Sequence, residues 1–492
     1  MQKAAANYDR SLLAQIVSRI WDNEGLPTLA DYVRIPCISP LFTTSPSASE
    51  HMDQAVHCLA EWARQRPFVA DVQVHRLDGR TPMLVVDVAP SRRTPDLSPT
   101  LIYGHFDKQP PGDGWAEGLD AFTPTQRHDR LYGRGAADDG YSVFAALIAV
   151  QALNEMNVPY GRCLVLIEAS EESGSRDLPA YLRELGPVIG TPRLIVCLDA
   201  DCISYDRLWV TTSLRGVVSG ILRVDVLEHG VHSGIASGVV PSSFRILRNL
   251  LDRVEDSETG RILLTGLWGD APDQPPEGLS ESAGLVTDFA PLPTIPGLRR
   301  LADTPVKELR NRAWSPAMAV TGASGLPALE HAGNVLRPYT ALKLSFRVSP
   351  TADITAAISA LSASLTRRPP YGARVSFDLT SHSSGWVGDD HPSWLANAIE
   401  EASCSFYGAS TASFGDGASI PFMSMLREQF PSTPYLVTGL LGPNSNAHGP
   451  DENLYVPAVK ALTASVAHVL SAAATGAAGS RAEDAVADLL GE

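Results

Sequence analysis

The chain has 492 residues, too many for one ordinary core, so we expect two domains or one large domain with an insertion, and its 44% hydrophobic residues can bury those cores without disulfides. Its 55 acidic and 39 basic residues give a formal net charge of −16, which argues against a nucleic-acid partner or an anionic membrane. Six irregularly spaced cysteines, an N-terminus without an apolar signal core and the lack of a run of about eighteen apolar residues predict a cytoplasmic protein.

The first part of the chain alternates helical and strand-like patterns. Apolar residues recur at helical spacing over residues 11–33, and a further helix is predicted at 50–65. Strands are predicted at 72–77, 83–88 and 100–103. This alternation indicates an α/β domain with a central, mostly parallel sheet.

Three apolar strands of this domain are each followed by side chains that can bind a metal. These side chains are His105 after the run 100–103, Glu171 and Glu172 after 163–169, and Asp199 after 193–198. Because the carboxyl ends of parallel strands meet at one edge of a sheet, the carboxylates would repel one another there unless a cation lay between them. We therefore predict a metal site, with His105 as a ligand and Asp107 orienting its imidazole.

Two more segments add candidate ligands. A glycine-rich loop at 131–140 places Asp138 and Asp139 before an apolar helix at 141–153, and a helix cap needs only one of the two aspartates. His448 follows late in the chain. Two histidines with several carboxylates and no set of thiolates suit a pair of divalent ions, zinc first and manganese as the alternative.

Such a pair of ions needs a bridging carboxylate. The bridge would leave a shared water molecule whose pKa falls towards neutrality and which can attack a carbonyl. A carboxylate that binds no metal could take the proton from this water and pass it to the leaving nitrogen. Either Glu171 or Glu172 is available for that role.

Beyond residue 212 the pattern changes to β-α-β-β-α-β, which is typical of a small ferredoxin-like sandwich. The elements are strands at 216–227, 317–321, 341–348 and 373–379 and helices at 242–253 and 352–365, with an irregular Pro/Gly-rich stretch at 266–297. A helix at 394–406, a strand at 435–440 and a helix at 456–474 return to the first domain, and the Ala/Gly-rich tail should be loosely ordered. We therefore predict a catalytic domain of residues 1–212 and 384–492 and an inserted domain of residues 213–383.

Five stretches, in this order along the chain, resemble the signatures of the co-catalytic zinc metallopeptidases that include carnosine dipeptidases, aminoacylases and glutamate carboxypeptidases. They are Gly104-His-Phe-Asp-Lys-Gln-Pro110, Tyr132-Gly-Arg-Gly-Ala-Ala-Asp-Asp139, Glu168-Ala-Ser-Glu-Glu-Ser-Gly174, Val231-His-Ser-Gly234 and Asn446-Ala-His-Gly-Pro450. The carnosine dipeptidase branch is the most similar. The resemblance implies a zinc-aminopeptidase-like catalytic domain, an inserted ferredoxin-like lid and dimerisation domain, and a homodimer formed through that insertion.

The resemblance also implies a role for each candidate in the catalytic domain. One metal would be bound by His105, Asp138 and Asp199, and the other by Asp138, Glu172 and His448. Glu171 would be the general base, Asp107 would orient His105, and the peptide bond between Asp138 and Asp139 would be cis. Asp201 competes with Asp199 because it lies two residues on and on the same strand face, but Asp199 directly follows the apolar run and is preferred.

In the inserted domain the resemblance implies residues that contact substrate. His232 would stabilise the oxyanion of the tetrahedral intermediate from the neighbouring subunit, and Asn334 and Arg347 would hold the substrate. Further substrate-binding candidates are His382, Gly417 and Ser419.

The chain departs from carnosine dipeptidases at two positions. A lysine that usually follows the paired aspartates is Gly140 here, and an arginine that helps to grip a substrate carboxylate is Gly415. The lost charge-assisted contact is worth roughly 1.5 to 3 kcal/mol. An amide with a blocked or bulky C-side would suit the space opened at Gly415.

The predicted function is that of a two-metal hydrolase that cleaves the amide bond of a dipeptide or a small peptide-like substrate through a metal-bridging water. The alternative on the same fold is an N-acyl amino acid deacylase or a specialised small-molecule amidase. The alternative from another class is a non-catalytic metal-binding or interaction protein that kept the fold. The last is disfavoured because such relics usually lose the base or a ligand, and none is missing here.

Overall fold

The computed structural model describes residues 8–92, 94, 98–269, 282, 284–288, 292 and 294–490, with side chains up to residue 475. The chain divides into two compact units. The first comprises Met1–Thr212, Gly388–Ser413 and Met425–Glu492, and the second comprises Ser213–Val387 and Phe414–Ser424. The second unit thus takes in residues 414–424, which lie outside the predicted insertion of 213–383.

The helices of the described residues are α1 (Arg10–Ile20), α2 (Leu26–Val33), α3 (Ala48–Arg64), α4 (Ser142–Glu155), α5 (Leu178–Ile189), α6 (Ser233–Ala236), α7 (Ser243–Leu251), α8 (Pro305–Ala313), α9 (Ile354–Thr366), α10 (Ser393–Phe406), α11 (Pro421–Gln429) and α12 (Val456–Leu490). A π-helical turn, Trp21–Gly25, joins α1 to α2. Residues 11–33 are therefore helical, as their apolar spacing predicts.

The strands are β1 (Val69–His75), β2 (Met83–Val88), β3 (Thr100–His105), β4 (Thr125–Arg127), β5 (Arg130–Tyr132), β6 (Cys163–Glu168), β7 (Leu194–Cys197), β8 (Trp209–Leu214), β9 (Gly216–Asp225), β10 (Val231–His232), β11 (Ala317–Ser324), β12 (Val335–Leu336), β13 (Tyr339–Val348), β14 (Arg374–Ser383), β15 (Trp386–Val387), β16 (Ala412–Asp416), β17 (Tyr435–Val437) and β18 (Asn453–Tyr455). Short strands such as β4, β5 and β18 were not predicted, because two or three residues carry no periodic signal.

The first unit is built on a six-stranded sheet with the order β1-β2-β6-β3-β7-β17. β6, β3, β7 and β17 run parallel, while β1 and β2 pair antiparallel at one edge. Strands β3, β6 and β7 are buried along their whole length, which explains their continuous apolar sequence. This mostly parallel sheet with packed helices confirms the α/β fold class.

Two apolar helices pack in the core of this unit. α4 is buried on nearly every side. The segment Val456–Thr475 of α12 has a mean hydropathy of 1.3 and is long enough to span a bilayer, but its Val459, Leu462 and Val466 side chains lie in the protein core. We therefore assign it as a core helix. The backbone of α12 continues as helix to Leu490, and its alanine-rich sequence favours this, since alanine is the strongest helix former.

The second unit contains a four-stranded antiparallel sheet with the order β11-β13-β9-β14. Along the chain, the elements β9, α7, β11, β13, α9 and β14 follow the predicted β-α-β-β-α-β order. Leu247 of α7 and Leu361 of α9 pack on the buried side of the sheet with Leu222 and Phe346. Much of the predicted irregular stretch at 266–297 lies outside the described residues.

Candidate active site

Three neighbouring strands of the parallel sheet end beside one another. His105 is the last residue of β3 and pairs with Glu168, the last residue of β6. Glu171 and Glu172 follow β6 in a 3₁₀ turn, and Asp199 follows the end of β7 by two residues. The strand ends therefore carry these side chains to one edge of the sheet, as their positions after apolar runs predict.

Asp138 lies between two histidines. Its Oδ1 is 3.2 Å from His105 Nε2, and its Oδ2 is 3.0 Å from His448 Nε2. Asp199 Oδ1 lies 3.8 Å from His105 Nε2, and Glu172 Oε2 lies 3.3 Å from His448 Nε2. The structure thus forms two groups that share Asp138, one with His105 and Asp199 and one with Glu172 and His448, and the ligand atoms in each group lie within 4.8 Å of one another.

Asp107 is placed to orient His105. The Nδ1 of His105 lies 3.1 Å from the Asp107 carbonyl oxygen and 3.5 Å from the Asp107 carboxylate. The same carboxylate accepts hydrogen bonds of 3.1 Å from the backbone N–H groups of Glu171 and Glu172. Because Nδ1 faces these acceptors, Nε2 is the nitrogen that faces Asp138 and Asp199.

The electrostatics of the site fit a bound cation. Burial and the nearby carboxylates of Asp139, Glu171 and Asp138 raise the pKa of Asp199, although His105 opposes them. Burial and Asp138 raise the pKa of Glu172. Burial also acts to raise the pKa of Asp138, but hydrogen bonds from His105 and His448 outweigh it and lower the pKa. Carboxylates this crowded, with two imidazole nitrogens among them, form a donor set for divalent zinc or manganese.

The adjacent glutamates differ in their surroundings. Glu172 joins a ligand group, and its Oε2 accepts a hydrogen bond of 2.5 Å from Gln109. Glu171 belongs to neither ligand group. Burial raises its pKa well above that of a free glutamate, although His105 acts to lower it. The carboxylates of Glu172, Asp107 and Glu168 add to the rise. Asp201 is likewise in neither group, and its backbone pairs with Leu441.

A buried ion pair that the sequence analysis missed supports the Asp138 loop. Glu452 accepts a hydrogen bond of 2.6 Å from Arg134 and further bonds from the backbone N–H groups of Gly135, at 2.9 Å, and Asp138, at 3.3 Å. Arg134 also donates to the Gly449 carbonyl oxygen at 2.8 Å. The pair therefore joins the loop of Asp138 to the loop of His448. The available signal was a pair of opposite charges, Arg134 between two glycines and Glu452 shortly after Gly449.

A second missed residue lies beneath the glutamates. Glu168 is buried and accepts hydrogen bonds from the hydroxyls of Tyr103 at 2.7 Å, Ser175 at 2.8 Å and Ser170 at 3.0 Å. Burial, with help from Asp107, raises the pKa of Glu168 to about 7 despite these bonds. The backbone between β6 and the catalytic candidates is thereby tied to the sheet. The peptide bond between Asp138 and Asp139 is cis, as the resemblance implies.

The second unit brings some of its candidates together. His232 is exposed, and its Nδ1 accepts a 3.1 Å hydrogen bond from the Gly234 N–H. Asn334 is close by, because its carbonyl oxygen accepts from the Ser233 N–H at 2.9 Å. Arg347 donates to Ser419 Oγ at 2.8 Å. Ser419 in turn donates to the Arg215 carbonyl oxygen, and Arg215 Nε donates to the Gly417 carbonyl oxygen at 3.1 Å.

His382 does not join this arrangement on the sheet. It pairs with Val218, whose side chain is buried, whereas Arg347 pairs with the neighbouring Val217. Since paired residues of antiparallel strands point to the same face, His382 and Arg347 lie on opposite faces.

The expected open space at Gly415 is absent. A Cβ built on Gly415 would lie 2.6 Å from Ser213 Oγ and 2.9 Å from Ala313 Cβ. Neighbouring segments of the second unit therefore fill the place of the missing side chain, and the inference of room for a bulky group there was wrong. The absence of an arginine side chain at Gly415 therefore leaves no open space at this position.

Comparison with known proteins identifies related chains. The model of peptidase family M20/M25/M40 matches residues 101–472. A cysteinylglycine-S-conjugate dipeptidase of Corynebacterium striatum is 28% identical over 370 residues, which cover 73% of this chain and 77% of that protein. The human Beta-Ala-His dipeptidase is 26% identical over 366 residues, covering 71% and 70%. The solved structure of the dipeptidase Dug1p of Saccharomyces cerevisiae matches 95% of this chain and 98% of its own, with a TM-score of 0.79 and 20% identity. At this identity the match shows a shared fold.

Proposed function

The chain belongs to peptidase family M20/M25/M40, and we propose that it is a metal-dependent hydrolase that cleaves the amide bond of a dipeptide or a small peptide-like substrate. The family match, together with the dipeptidase relatives, confirms the resemblance to the carnosine dipeptidase branch. The observation that carries the proposal is the pair of ligand groups that share Asp138, one of them buried throughout and the other including the exposed His448. The names of the relatives, which are dipeptidases, support a dipeptide as the substrate.

We assign the two ligand groups to two divalent cations, zinc first and manganese as the alternative. When bound, the cations supply charge that polarises the substrate carbonyl and lowers the pKa of a water molecule. Asp107 keeps the His105 imidazole turned so that Nε2 faces the site. The Arg134–Glu452 pair keeps the Asp138 and His448 loops together.

Glu171 is the proposed proton carrier. It lies in the same turn as Glu172 but outside both ligand groups, so its carboxylate is available for proton transfer. It takes a proton from the attacking water and delivers it to the leaving nitrogen. This assignment resolves the choice between Glu171 and Glu172 in favour of Glu171.

Residues of the second unit would bind the substrate ends. We propose that His232 donates to the oxyanion and that it does so from a partner subunit of a homodimer. Arg347 and Ser419, which are hydrogen-bonded to each other, would hold a substrate carboxylate, with Asn334 beside His232. Ile235 is 78% exposed and Val239 is 80% exposed in the single chain. Two such apolar side chains at the surface support a dimer through this unit.

Substrate profiling tests the proposal. Purified protein loaded with zinc or manganese is assayed against a panel of dipeptides and a matched panel of N-acyl amino acids. Glu171→Gln is the control, and its metal-dependent turnover should fall by about 10² to 10⁴-fold. Hydrolysis of dipeptides is expected. Turnover of N-acyl amino acids alone would replace the dipeptidase by a deacylase, and no turnover with metal bound would support the non-catalytic alternative.

A further inference from the structure

Lys108 is a fully buried lysine directly after the strand end that carries His105 and Asp107. Its ammonium donates three hydrogen bonds, all to backbone carbonyl oxygens at the end of α2: Tyr32 at 3.0 Å, Val33 at 3.1 Å and Ile35 at 2.8 Å. The ammonium also lies 4.1 Å from the centre of the Tyr32 ring. A cation at this end of a helix is favoured by the helix dipole, and all three N–H donors are used.

The alkyl part of Lys108 lies against the loop that carries Asp138. A Cβ on Gly135 would come within 2.6 Å of Lys108 Cε, and Gly135 has a φ of +80°, so the loop can pass over the lysine only as glycine. Gly140 closes the same loop, because its N–H donates to the Gly135 carbonyl oxygen at 3.1 Å. A Cβ on Gly140 would lie 2.3 Å from the Tyr32 ring, the ring that the Lys108 ammonium also contacts. A side chain at position 140 would therefore displace the Tyr32 ring that the Lys108 ammonium contacts.

The backbone around Lys108 is fixed on its other side. Its N–H donates to the Cys37 carbonyl oxygen at 3.0 Å, and its carbonyl oxygen accepts from the Ser39 N–H at 2.9 Å. The Tyr32 hydroxyl donates to the Phe106 carbonyl oxygen at 2.6 Å. The end of α2, the end of β3 and the Asp138 loop thus meet at one side chain.

We propose that Lys108 is a positioning residue of the metal site, which fixes the strand end bearing His105 relative to the loop bearing Asp138. It contacts neither metal ligand and acts through the backbone that carries them. The proposal rests on the metal-dependent function proposed above, because it concerns the geometry of that metal site.

Zinc binding measures the effect directly. The metal-free protein is titrated with Zn²⁺ in competition with a chromogenic chelator, and Lys108→Met is compared with the wild type and with Lys460→Met. Lys460 forms an ion pair with the half-exposed Asp22, outside the metal site, so its variant controls for the loss of a lysine ammonium as such. We expect the Zn²⁺ dissociation constant to rise about tenfold or more for Lys108→Met, as for other residues that support metal ligands, and to stay within about twofold for the control.

A second variant separates positioning from general stability. Lys108→Gln keeps two N–H donors, so its loss of zinc affinity should be smaller than that of Lys108→Met, while urea unfolding of the metal-free proteins records any loss of fold. Unchanged zinc affinity in folded Lys108→Met would overturn the proposal. Failure of both variants to fold would also overturn it, because Lys108 would then hold the fold and not the site. A wild type that binds no Zn²⁺ would instead refute the proposed metal-dependent function.

Discussion

Replacement of Glu452 by glutamine should destabilise the catalytic unit far more than an ordinary charge removal. Arg134 is 1% exposed and Glu452 is completely buried, so the substitution leaves a guanidinium charge in the interior without its carboxylate. Removal of one partner of a buried ion pair costs about 3 to 5 kcal/mol. A glutamine oxygen can still accept one backbone N–H, so we expect a loss of unfolding free energy of about 3 kcal/mol, at the lower end of that range.

Urea unfolding of the metal-free protein measures this loss. It is done at pH 8, because burial raises the pKa of Glu452 to about 7 although Arg134 opposes the rise, and the carboxylate must be ionised in the wild type. Glu155→Gln is the matched control, since its partner Arg19 is half exposed and such surface pairs contribute at most about 1 kcal/mol.

The double variant Arg134→Met/Glu452→Gln measures the coupling between the two buried charges. With both charges gone no unpaired ion remains buried, so the double variant should lose less stability than the sum of its two single variants. A loss below about 1 kcal/mol for Glu452→Gln, or strict additivity in the double variant, would show that the pair does not carry the stability assigned to it.

Three further predictions concern proton transfer, subunit sharing and pH. Glu171→Gln should lower turnover by about 10² to 10⁴-fold with its metal content unchanged, and near-native turnover by a metal-loaded variant would end its assignment as the base. His232→Ala should lower turnover by about 10² to 10³-fold, and mixed dimers with Glu171→Gln should regain one working site; no recovery after verified subunit exchange would mean that each chain completes its own site. Burial lowers the pKa of Lys108 to about 8, while Cys37, Glu452 and Cys58 oppose the shift and Arg134 adds to it. An ordinary lysine has a pKa of 10.5, so the unfolded chain binds this proton more tightly than the folded one. The unfolding free energy of the wild type relative to Lys108→Met should therefore rise between pH 8 and 10.5. A difference between the two proteins that stays constant in urea unfolding across that window would contradict the prediction.

Three members of the two candidate ligand groups could be predicted because their positions follow from one local signal. Each of His105, Glu172 and Asp199 comes directly after or shortly beyond an apolar run, and parallel strands bring such ends together regardless of distant detail. The β-α-β-β-α-β order of the second unit could be predicted for the same reason, because each element carries its own periodicity.

Features that depend on distant segments could not be predicted. Arg134 and Glu452 are 318 residues apart, and nothing local to either residue identifies its partner. Ser213 and Ala313, from two other segments, fill the space beside Gly415. The missing side chain therefore suggested open space where the fold has none. The sequence made His382 a substrate-binding candidate, but the face of the sheet on which it lies follows from the register of β14 with β9.

The division of the first unit between the two ends of the chain has a consequence for biosynthesis. His105, Asp138 and Asp199 are all synthesised before the second unit, which begins at Ser213, whereas His448 is synthesised about 250 residues after Asp199. At about 5 to 20 residues per second this is a delay of roughly 12 to 50 s. During most of that interval a nascent chain contains only one complete ligand group, and the central sheet still lacks β17. If each ligand group holds one cation, as proposed, nascent chains stalled before residue 448 would acquire at most half of the metal of the finished protein.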